Sequence, residues 1–269
     1  MGMKVIGKRE VHVVEMNPKG ERTIVMVHGL LTNLSAFYMK IAPNLAKKYR
    51  VVLYDLRGHG LSEGGDEGFS LEVMSNDLLE LFAEMNIEKT YLVGYSYGGV
   101  IVIHTALRRP EVVESVALIE TPSISEPDFD VQINSKEGLR DYIGKNINAM
   151  GFAAPMQFVD KTIERLTDLF GDGKLTEAIA SGRRVMDVAP LEQLSLPVLL
   201  LYGDESAFVE TGLKFKERIP GGLFYLGSGG HNLPVSQGDW ISGHLEDFFD
   251  KCACRGAGDH NESDTWRGA

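Results

Sequence analysis

Short apolar runs recur along the chain, and most end in loops that contain glycine or a polar residue. Runs that are continuous rather than alternating are typical of strands buried on both faces of a parallel sheet. The pattern predicts strands at 23–27, 50–54, 90–93, 113–119, 198–202 and 222–226.

Helical patterns lie between these strands. Ser70 has the side chain of a helix N-cap, and apolar residues at helical spacing follow it to about Met85. A second helix begins near Tyr97 and ends before Pro110, which cannot continue it. Because strands and helices alternate, the pattern predicts an α/β fold with a layered sheet.

The first part of the chain reads differently. Residues 10–15 alternate weakly between polar and apolar positions, and the turn sequence at 17–20 contains Asn, Pro and Gly. Such a pattern favours antiparallel edge strands that precede the parallel series.

The alternation stops between Pro122 and Pro197. That stretch has helical patterns around 136–150, 157–170 and 176–186 and no buried-strand run, which predicts a helical cap over one edge of the sheet. We therefore divide the chain into a core, a cap and a tail, at residues 1–121 with 191–252, 122–190 and 253–269.

The last helix is predicted to run to about Lys251, and the tail that follows is poor in apolar residues. We expect it to be disordered, because it has almost nothing to bury. Cys252 and Cys254 lie at this end of the chain, where a disulfide would close no useful loop, and we assign them no function.

The amino-acid composition argues against several classes of binding partner. The 269 residues include 27 Lys and Arg against 38 Asp and Glu, a net charge of −11, which argues against nucleic acid or an anionic membrane as partner. No apolar stretch approaches the roughly 20 residues that span a bilayer. Charged residues also precede any apolar segment of signal-peptide length, so we expect a cytoplasmic protein.

The strongest chemical signal is Gly-Tyr-Ser-Tyr-Gly-Gly at 94–99, between a predicted strand and a predicted helix. That context is the one a Gly-x-Ser-x-Gly nucleophile elbow needs. The glycines permit a sharp turn, which projects the Ser96 hydroxyl above the sheet at a helix N-terminus.

A serine hydroxyl is a poor nucleophile at neutral pH and needs a base to take its proton. His231 is our candidate, because it lies in a glycine-rich loop just after the last strand run. The backbone N–H groups of Leu30 and Tyr97 would form the oxyanion hole. We assign the loop at 55–62, which contains His59, to structure rather than to catalysis.

The segments His28-Gly29, Asp-x-Arg-Gly-His-Gly-x-Ser at 55–62, Gly-x-Ser-x-Gly-Gly at 94–99 and Gly230-His231 occur in an order and spacing that resemble the α/β-hydrolase superfamily. The resemblance covers about residues 4–250. It implies a mostly parallel eight-stranded sheet flanked by helices, with a helical cap inserted after the sixth strand. It also implies the chain order nucleophile, acid, histidine.

The acid departs from the pattern of most relatives. They carry it after the seventh strand as Gly-x-x-Asp, and here the corresponding residue is Ser206. A hydroxyl cannot supply the negative charge that an imidazolium needs. Glu120, at the end of the sixth strand, resembles an alternative acid position of the superfamily and is our first candidate, and Asp204 is the second. Glu205 is a further local possibility.

These residues predict a serine hydrolase that cleaves a carboxylic ester, thioester or lactone through an acyl-enzyme. Leu31 and Tyr95 are candidates for lining a pocket for an apolar acyl group of a small molecule. An acyltransferase or cyclase with the same triad is one alternative, and a ligand-binding sensor with little turnover is another. The sequence has no metal-binding, phosphate-binding or dinucleotide motif, so we expect no cofactor.

Overall fold

The computed structural model describes residues 2–30, 32–122 and 191–256, together with 164, 177, 178 and 180–182 between them. The predicted cap helices at 136–150 and 157–170 lie outside the described residues, as do most of the helix at 176–186 and the tail beyond 256.

Eight strands form one sheet in the order β1-β2-β4-β3-β5-β6-β7-β8. β1 and β2 are antiparallel, β2 pairs antiparallel with β4, and the remaining neighbours are parallel. The strands are β1 Gly2–Ile6, β2 Arg9–Met16, β3 Thr23–Val27, β4 Arg50–Tyr54, β5 Thr90–Tyr95, β6 Val113–Ile119, β7 Val198–Gly203 and β8 Leu223–Gly227. The α/β class and the mostly parallel eight-stranded sheet are thereby confirmed.

Helices cover both faces of the sheet. The α-helices of the described ranges are α1 Ser35–Tyr38, α2 Ile41–Leu45, α3 Leu71–Glu84, α4 Tyr97–Arg108, α5 Val209–Arg218, α6 Leu233–Ser236 and α7 Gly238–Gly256, and short 3₁₀ helices occupy Pro110–Val112 and Leu191–Gln193. Ser70 caps α3 as predicted, since its side chain accepts a hydrogen bond from Val73 N at 3.3 Å.

Two apolar layers sandwich the sheet. One includes side chains of α3, α4 and α5, such as Leu78, Val100 and Phe215, and the other includes side chains of α1, α2 and α7, such as Phe37, Ile41 and Phe249. Both layers are buried, so the sheet is rigidly held and the loops at the carboxyl ends of its parallel strands can carry functional groups.

The last helix is longer than predicted. It begins at Gly238 and ends at Gly256 rather than at about Lys251, so residues 253–256 belong to a helix and not to a disordered tail. Its apolar stripe explains the extension, because Cys252 continues the series of Phe248 and Phe249 and packs against the same layer. No helix within the described ranges combines the length and the apolar character that crossing a membrane requires.

Candidate active site

Ser96 stands between the end of β5 and the start of α4, in a conformation that few residues other than glycine adopt. Its φ is 54° and its ψ is −127°. A non-glycine residue with positive φ is uncommon and carries strain, which the surrounding structure must hold in place. The strained turn leaves the Ser96 side chain at the carboxyl edge of the sheet and at the N-terminus of α4.

The glycines of this turn allow backbone to lie against backbone. A Cβ atom on Gly98 would lie 2.1 Å from the carbonyl oxygen of Val27, and one on Gly94 would lie 2.4 Å from Cα of Gly99. A Cβ on Gly29 would lie 2.8 Å from Cβ of Ser96, so the loop after β3 lies directly against the serine. Any side chain at these positions would push the turn out of place.

His231, in the loop after β8, contacts the serine. Its Nε2 lies 3.1 Å from Oγ of Ser96, which is hydrogen-bond distance. The His231 side chain is 31% exposed. A base in this position can take the serine proton and still remain accessible from the surface.

Glu120 contacts the other side of the same imidazole. Its Oε2 lies 3.2 Å from Nδ1 of His231, and its side chain is 0% exposed. Glu120 follows β6 with a φ of 51°, and its backbone N–H donates to Leu201 O at 2.9 Å. Its carboxylate also accepts hydrogen bonds from the N–H of Gly203, the last residue of β7, and from the hydroxyl of Ser206, in the turn that follows. Both oxygens of the buried Glu120 carboxylate therefore accept hydrogen bonds, Oε1 from the N–H of Gly203 and Oε2 from the hydroxyl of Ser206.

The negative charge of Glu120 also acts on its neighbour Tyr202. Burial, and to a smaller extent this charge, raise the pKa of Tyr202 well above its ordinary value. The phenol consequently stays neutral and donates to Thr121 O at 2.8 Å. Its hydrogen bond ties the end of β7 to the residue that follows Glu120.

The structure does not bring Asp204 to the histidine. Asp204 is exposed, and its Oδ1 accepts a hydrogen bond from Gly229 N at 2.9 Å. Glu205 is exposed as well, and its backbone N–H donates to Gly229 O. Both residues therefore shape the turn between β7 and α5, and of the proposed acids Glu120 alone contacts His231 among the described residues.

Two aromatic rings flank His231. The Tyr95 ring stacks on the imidazole with centroids 5.3 Å apart, and its hydroxyl donates to His231 O at 3.0 Å. Phe208 meets the imidazole edge-on at 4.9 Å. Tyr95, predicted as a pocket residue, is 7% exposed and contacts the histidine loop. The sequence pattern marks position 206 but gives no signal for Phe208, because its contact with His231 depends on how the start of α5 lies against the loop after β8.

The loop after β3 is held by a neutral histidine. Burial lowers the pKa of His28 to about 4. Its Nε2 accepts from Leu56 N at 2.9 Å, so its Nδ1 carries the proton and donates to Gly29 O at 2.7 Å. These bonds fix the backbone that leads to Leu30. The neighbouring position 31, the predicted pocket residue Leu31, lies outside the described residues.

Tyr97, the second residue proposed for the oxyanion hole, is the first residue of α4. Its N–H therefore has no acceptor one turn earlier within the helix. The proposed role belongs to the backbone N–H. The side chain takes no part in it, and its hydroxyl donates to Ala178 O at 2.5 Å. Ser181 accepts a hydrogen bond from Leu71 N, so the described residues near 178 lie against the start of α3 as well as against Tyr97.

The loop at 55–62 is built as a structural unit. The Asp55 carboxylate accepts from the N–H groups of Leu34 and Leu61 and lies 2.8 Å from Nδ1 of His12. Arg57 forms a two-pronged pair with Asp77, at 2.7 Å for both bonds. These hydrogen bonds and ion pairs hold the charged loop against β2 and α3.

No three His, Cys, Asp or Glu side chains of the described ranges gather in a way that could hold a metal ion. The site itself brings a serine, a histidine and a buried carboxylate into contact, in that order.

Comparisons with known proteins agree with this architecture. The sequence profile of the alpha/beta hydrolase fold matches residues 22–150. The fold of this chain is therefore that of the α/β hydrolases. It is similar to the uncharacterized hydrolase YugF of Bacillus subtilis, with 28% identity over 87% of this chain and 91% of that protein.

Two further similarities come with more specific names. A putative carbamate hydrolase, RutD of Agrobacterium fabrum, is 29% identical over 84% of this chain and 92% of its own length. The crystal structure of the enol-lactonase from Burkholderia xenovorans LB400 superposes with a TM-score of 0.71 at 23% identity, over 93% of this chain and 100% of that one. The second likeness concerns the fold alone.

Proposed function

We propose that the protein is a serine hydrolase that cleaves carboxylic esters, thioesters or lactones through an acyl-enzyme intermediate. The observation that carries the proposal is the unbroken contact from Ser96 Oγ to His231 Nε2 and from His231 Nδ1 to Glu120 Oε2, at 3.1 and 3.2 Å. This arrangement contains the nucleophile, the base and the buried anion that acyl transfer requires.

In the proposed reaction, Ser96 Oγ attacks the acyl carbonyl carbon while His231 Nε2 takes the hydroxyl proton. Glu120 accepts the hydrogen bond of His231 Nδ1 and stabilises the imidazolium that forms. The backbone N–H groups of Leu30 and Tyr97 donate to the developing oxyanion. His231 then protonates the leaving group, and a water molecule, activated by the same histidine, releases the acid and restores the hydroxyl of Ser96.

The nucleophile defines the substrate class. A serine forms an acyl-enzyme, whereas hydrolases that open epoxides or displace halides in this superfamily attack through a carboxylate at the elbow. One similar protein has the name of a putative carbamate hydrolase, and a carbamate contains an acyl carbonyl. We propose a small acyl substrate with an apolar acyl group, and a reaction without a cofactor.

The serine at position 206, where the resemblance places an acid, is the feature that favours a ligand-binding sensor as the alternative. The contact between Glu120 and His231 supports the hydrolase, because it supplies an anion from another strand. An acyltransferase or cyclase would use the same three residues and would differ in the molecule that resolves the acyl-enzyme.

The test combines turnover with covalent labelling. We expect the purified protein to hydrolyse short and medium p-nitrophenyl esters and to be labelled by a fluorophosphonate probe. Ser96→Ala should abolish both, whereas Ser35→Ala, an exposed serine on α1, should change neither. Labelling without turnover would indicate a different acyl substrate. Absence of both in the folded wild type would refute the proposal and favour a binding protein.

A further inference from the structure

The Tyr95 side chain joins the strand of the nucleophile to the loop of the base. Tyr95 is the last residue of β5 and directly precedes Ser96. Its hydroxyl donates to the backbone oxygen of His231 at 3.0 Å, and its ring stacks on the imidazole with the planes 29° apart. A side chain next to the nucleophile thus contacts both the backbone and the ring of a residue 136 positions further along the chain.

The Tyr95 ring is itself firmly held. It is buried, and Phe37 of α1 packs edge-on against it with the ring centroids 6.3 Å apart. Every residue of β5 is buried, and the strand lies between β3 and β6 in the sheet. Because close-packed interior side chains have little room to move, Tyr95 acts as a rigid extension of the sheet.

The loop that contains His231 has fewer constraints of its own. It follows β8, which lies at one edge of the sheet and is partly exposed. Gly229, with a φ of 123°, and Gly230 directly precede the histidine. Glycine restricts the backbone least of all residues, so contacts from outside the loop must fix where the His231 backbone lies. The hydroxyl of Tyr95 supplies such a contact at His231 itself.

The proposed reaction needs a base that stays in place when one of its contacts is lost. In the free enzyme, Glu120 lies at Nδ1 of His231 and Ser96 at Nε2. Once Ser96 Oγ carries the acyl group, it has no proton to donate to Nε2. The same imidazole must then activate a water molecule. The contacts of Tyr95 do not depend on the state of the serine, so they hold His231 during both steps.

We propose that Tyr95 is a positioning residue for the base, and that its hydroxyl and ring hold His231 in line with Ser96 during acylation and deacylation. This inference rests on the proposed function and deepens it. The role differs from the lining of an acyl pocket that the sequence pattern predicts for Tyr95. Phe208 also contacts the imidazole, with the planes 72° apart, so aromatic side chains from two elements confine the ring.

Two substitutions separate the hydroxyl from the ring. Tyr95→Phe removes only the hydrogen bond to His231 O, and we expect kcat for p-nitrophenyl esters to fall about fivefold. Tyr95→Leu also removes the stacking, and we expect a loss of about 10²-fold, because a misplacement of about 1 Å has an effect of that size. Neither variant should raise KM, since the role concerns the base and not the acyl group.

Tyr49→Phe is the matched control. It removes the hydrogen bond that a buried tyrosine donates to Asp250, next to the amino end of β4 and therefore at the opposite end of the sheet from Ser96. We expect this variant to have a lower melting temperature and the kcat of the wild type. A loss of kcat in Tyr49→Phe equal to that in Tyr95→Phe would show a general effect of destabilisation and overturn the positioning role.

A series of acetate, butyrate and hexanoate esters separates positioning from pocket lining. A positioned base serves every acyl group, so the fold-loss in kcat of each Tyr95 variant should be the same across the series. A KM that rises with acyl length in Tyr95→Leu, at unchanged kcat, would overturn the positioning role and assign Tyr95 to the acyl pocket.

The rate of fluorophosphonate labelling separates this inference from the proposed function. Labelling requires the base but no deacylation, so Tyr95→Phe should lower its rate constant about as much as it lowers kcat. If Ser96→Ala is inactive and unlabelled while both Tyr95 variants keep the wild-type kcat and labelling rate, the positioning role is wrong and the proposed function stands. If Ser96→Ala remains active, the proposed function fails, and this inference fails with it.

Discussion

Nδ1 of His231 lies 3.2 Å from Oε2 of Glu120, although 111 residues separate the two along the chain. Glu120 follows β6 and His231 follows β8, so the contact passes over the end of β7. Gly203, at the end of β7, and Ser206, in the turn after it, supply the hydrogen bonds that hold the carboxylate there. The end of β7 and the turn after it thus provide the donors for a carboxylate that follows β6.

A comparison of the two candidate acids tests this relationship. Glu120→Gln should lower kcat/KM for a p-nitrophenyl ester about 10³-fold or more, because a neutral amide cannot stabilise the imidazolium. Asp204→Asn makes the same chemical change on an exposed carboxylate that contacts Gly229 N, and it should cost little activity. Steady-state measurement of kcat/KM for the two variants distinguishes the two acids. The reverse ranking would assign the acid to Asp204.

The tight approach at the elbow leads to a stability prediction. Gly98→Ala would place a Cβ atom 2.1 Å from the carbonyl oxygen of Val27. The backbone at that point cannot move aside without a large cost in free energy. We expect a loss of about 2 kcal/mol or more in the free energy of unfolding. Gly243→Ala in α7 is the matched control, because a Cβ there meets nothing within 4 Å.

The control should stabilise the protein by about 0.5–1 kcal/mol, since alanine favours a helix over glycine. Urea unfolding measures both variants. Equal effects of the two substitutions would contradict the interpretation of the elbow as a backbone contact.

The buried pair of Arg57 and Asp77 should be important for stability. Asp77 also lies 2.6 Å from Arg9, so Asp77→Asn would remove the carboxylate that two buried guanidinium groups share, and the half-exposed Glu67, 3.5 Å from Arg57, would be the remaining carboxylate partner of Arg57 among the described residues. We expect a loss of about 3 kcal/mol or more in the free energy of unfolding. Glu192→Gln breaks the exposed pair with Arg218 and should leave the unfolding midpoint almost unchanged. A mild effect of Asp77→Asn, similar to that of the control, would speak against this prediction.

The buried His28 predicts how stability depends on pH. Its pKa in the folded protein is about 4, against an ordinary value of 6.5, because burial disfavours the charged form. The unfolded chain therefore binds a proton that the folded protein does not bind between these values. Stability from this residue is present above about pH 6.5 and is lost as the pH falls toward 4.

Urea unfolding of the wild type and of His28→Gln, at pH 7.5 and pH 5, isolates this contribution. The wild type should lose more stability between the two pH values than the variant, because glutamine does not titrate. Equal losses would mean that His28 does not bind the extra proton on unfolding.

Much of the core was determined by the sequence alone. β3, β4 and β6 begin and end where their apolar runs do, because strands covered on both faces leave continuous apolar segments in the sequence. The pattern missed β1 because most of its side chains are exposed. The elbow is also local, since its glycines and the turn they permit lie within 94–99.

The tertiary structure alone decided which side chains meet. The sequence offered Glu120 and Asp204 as acids, and both follow strands next to each other in the sheet. The strained backbone of Glu120 and the donors of β7 direct one carboxylate to His231, while the turn after β7 directs the other to Gly229. Such contacts depend on the pairing of distant strands, and no pattern within a short segment records that pairing.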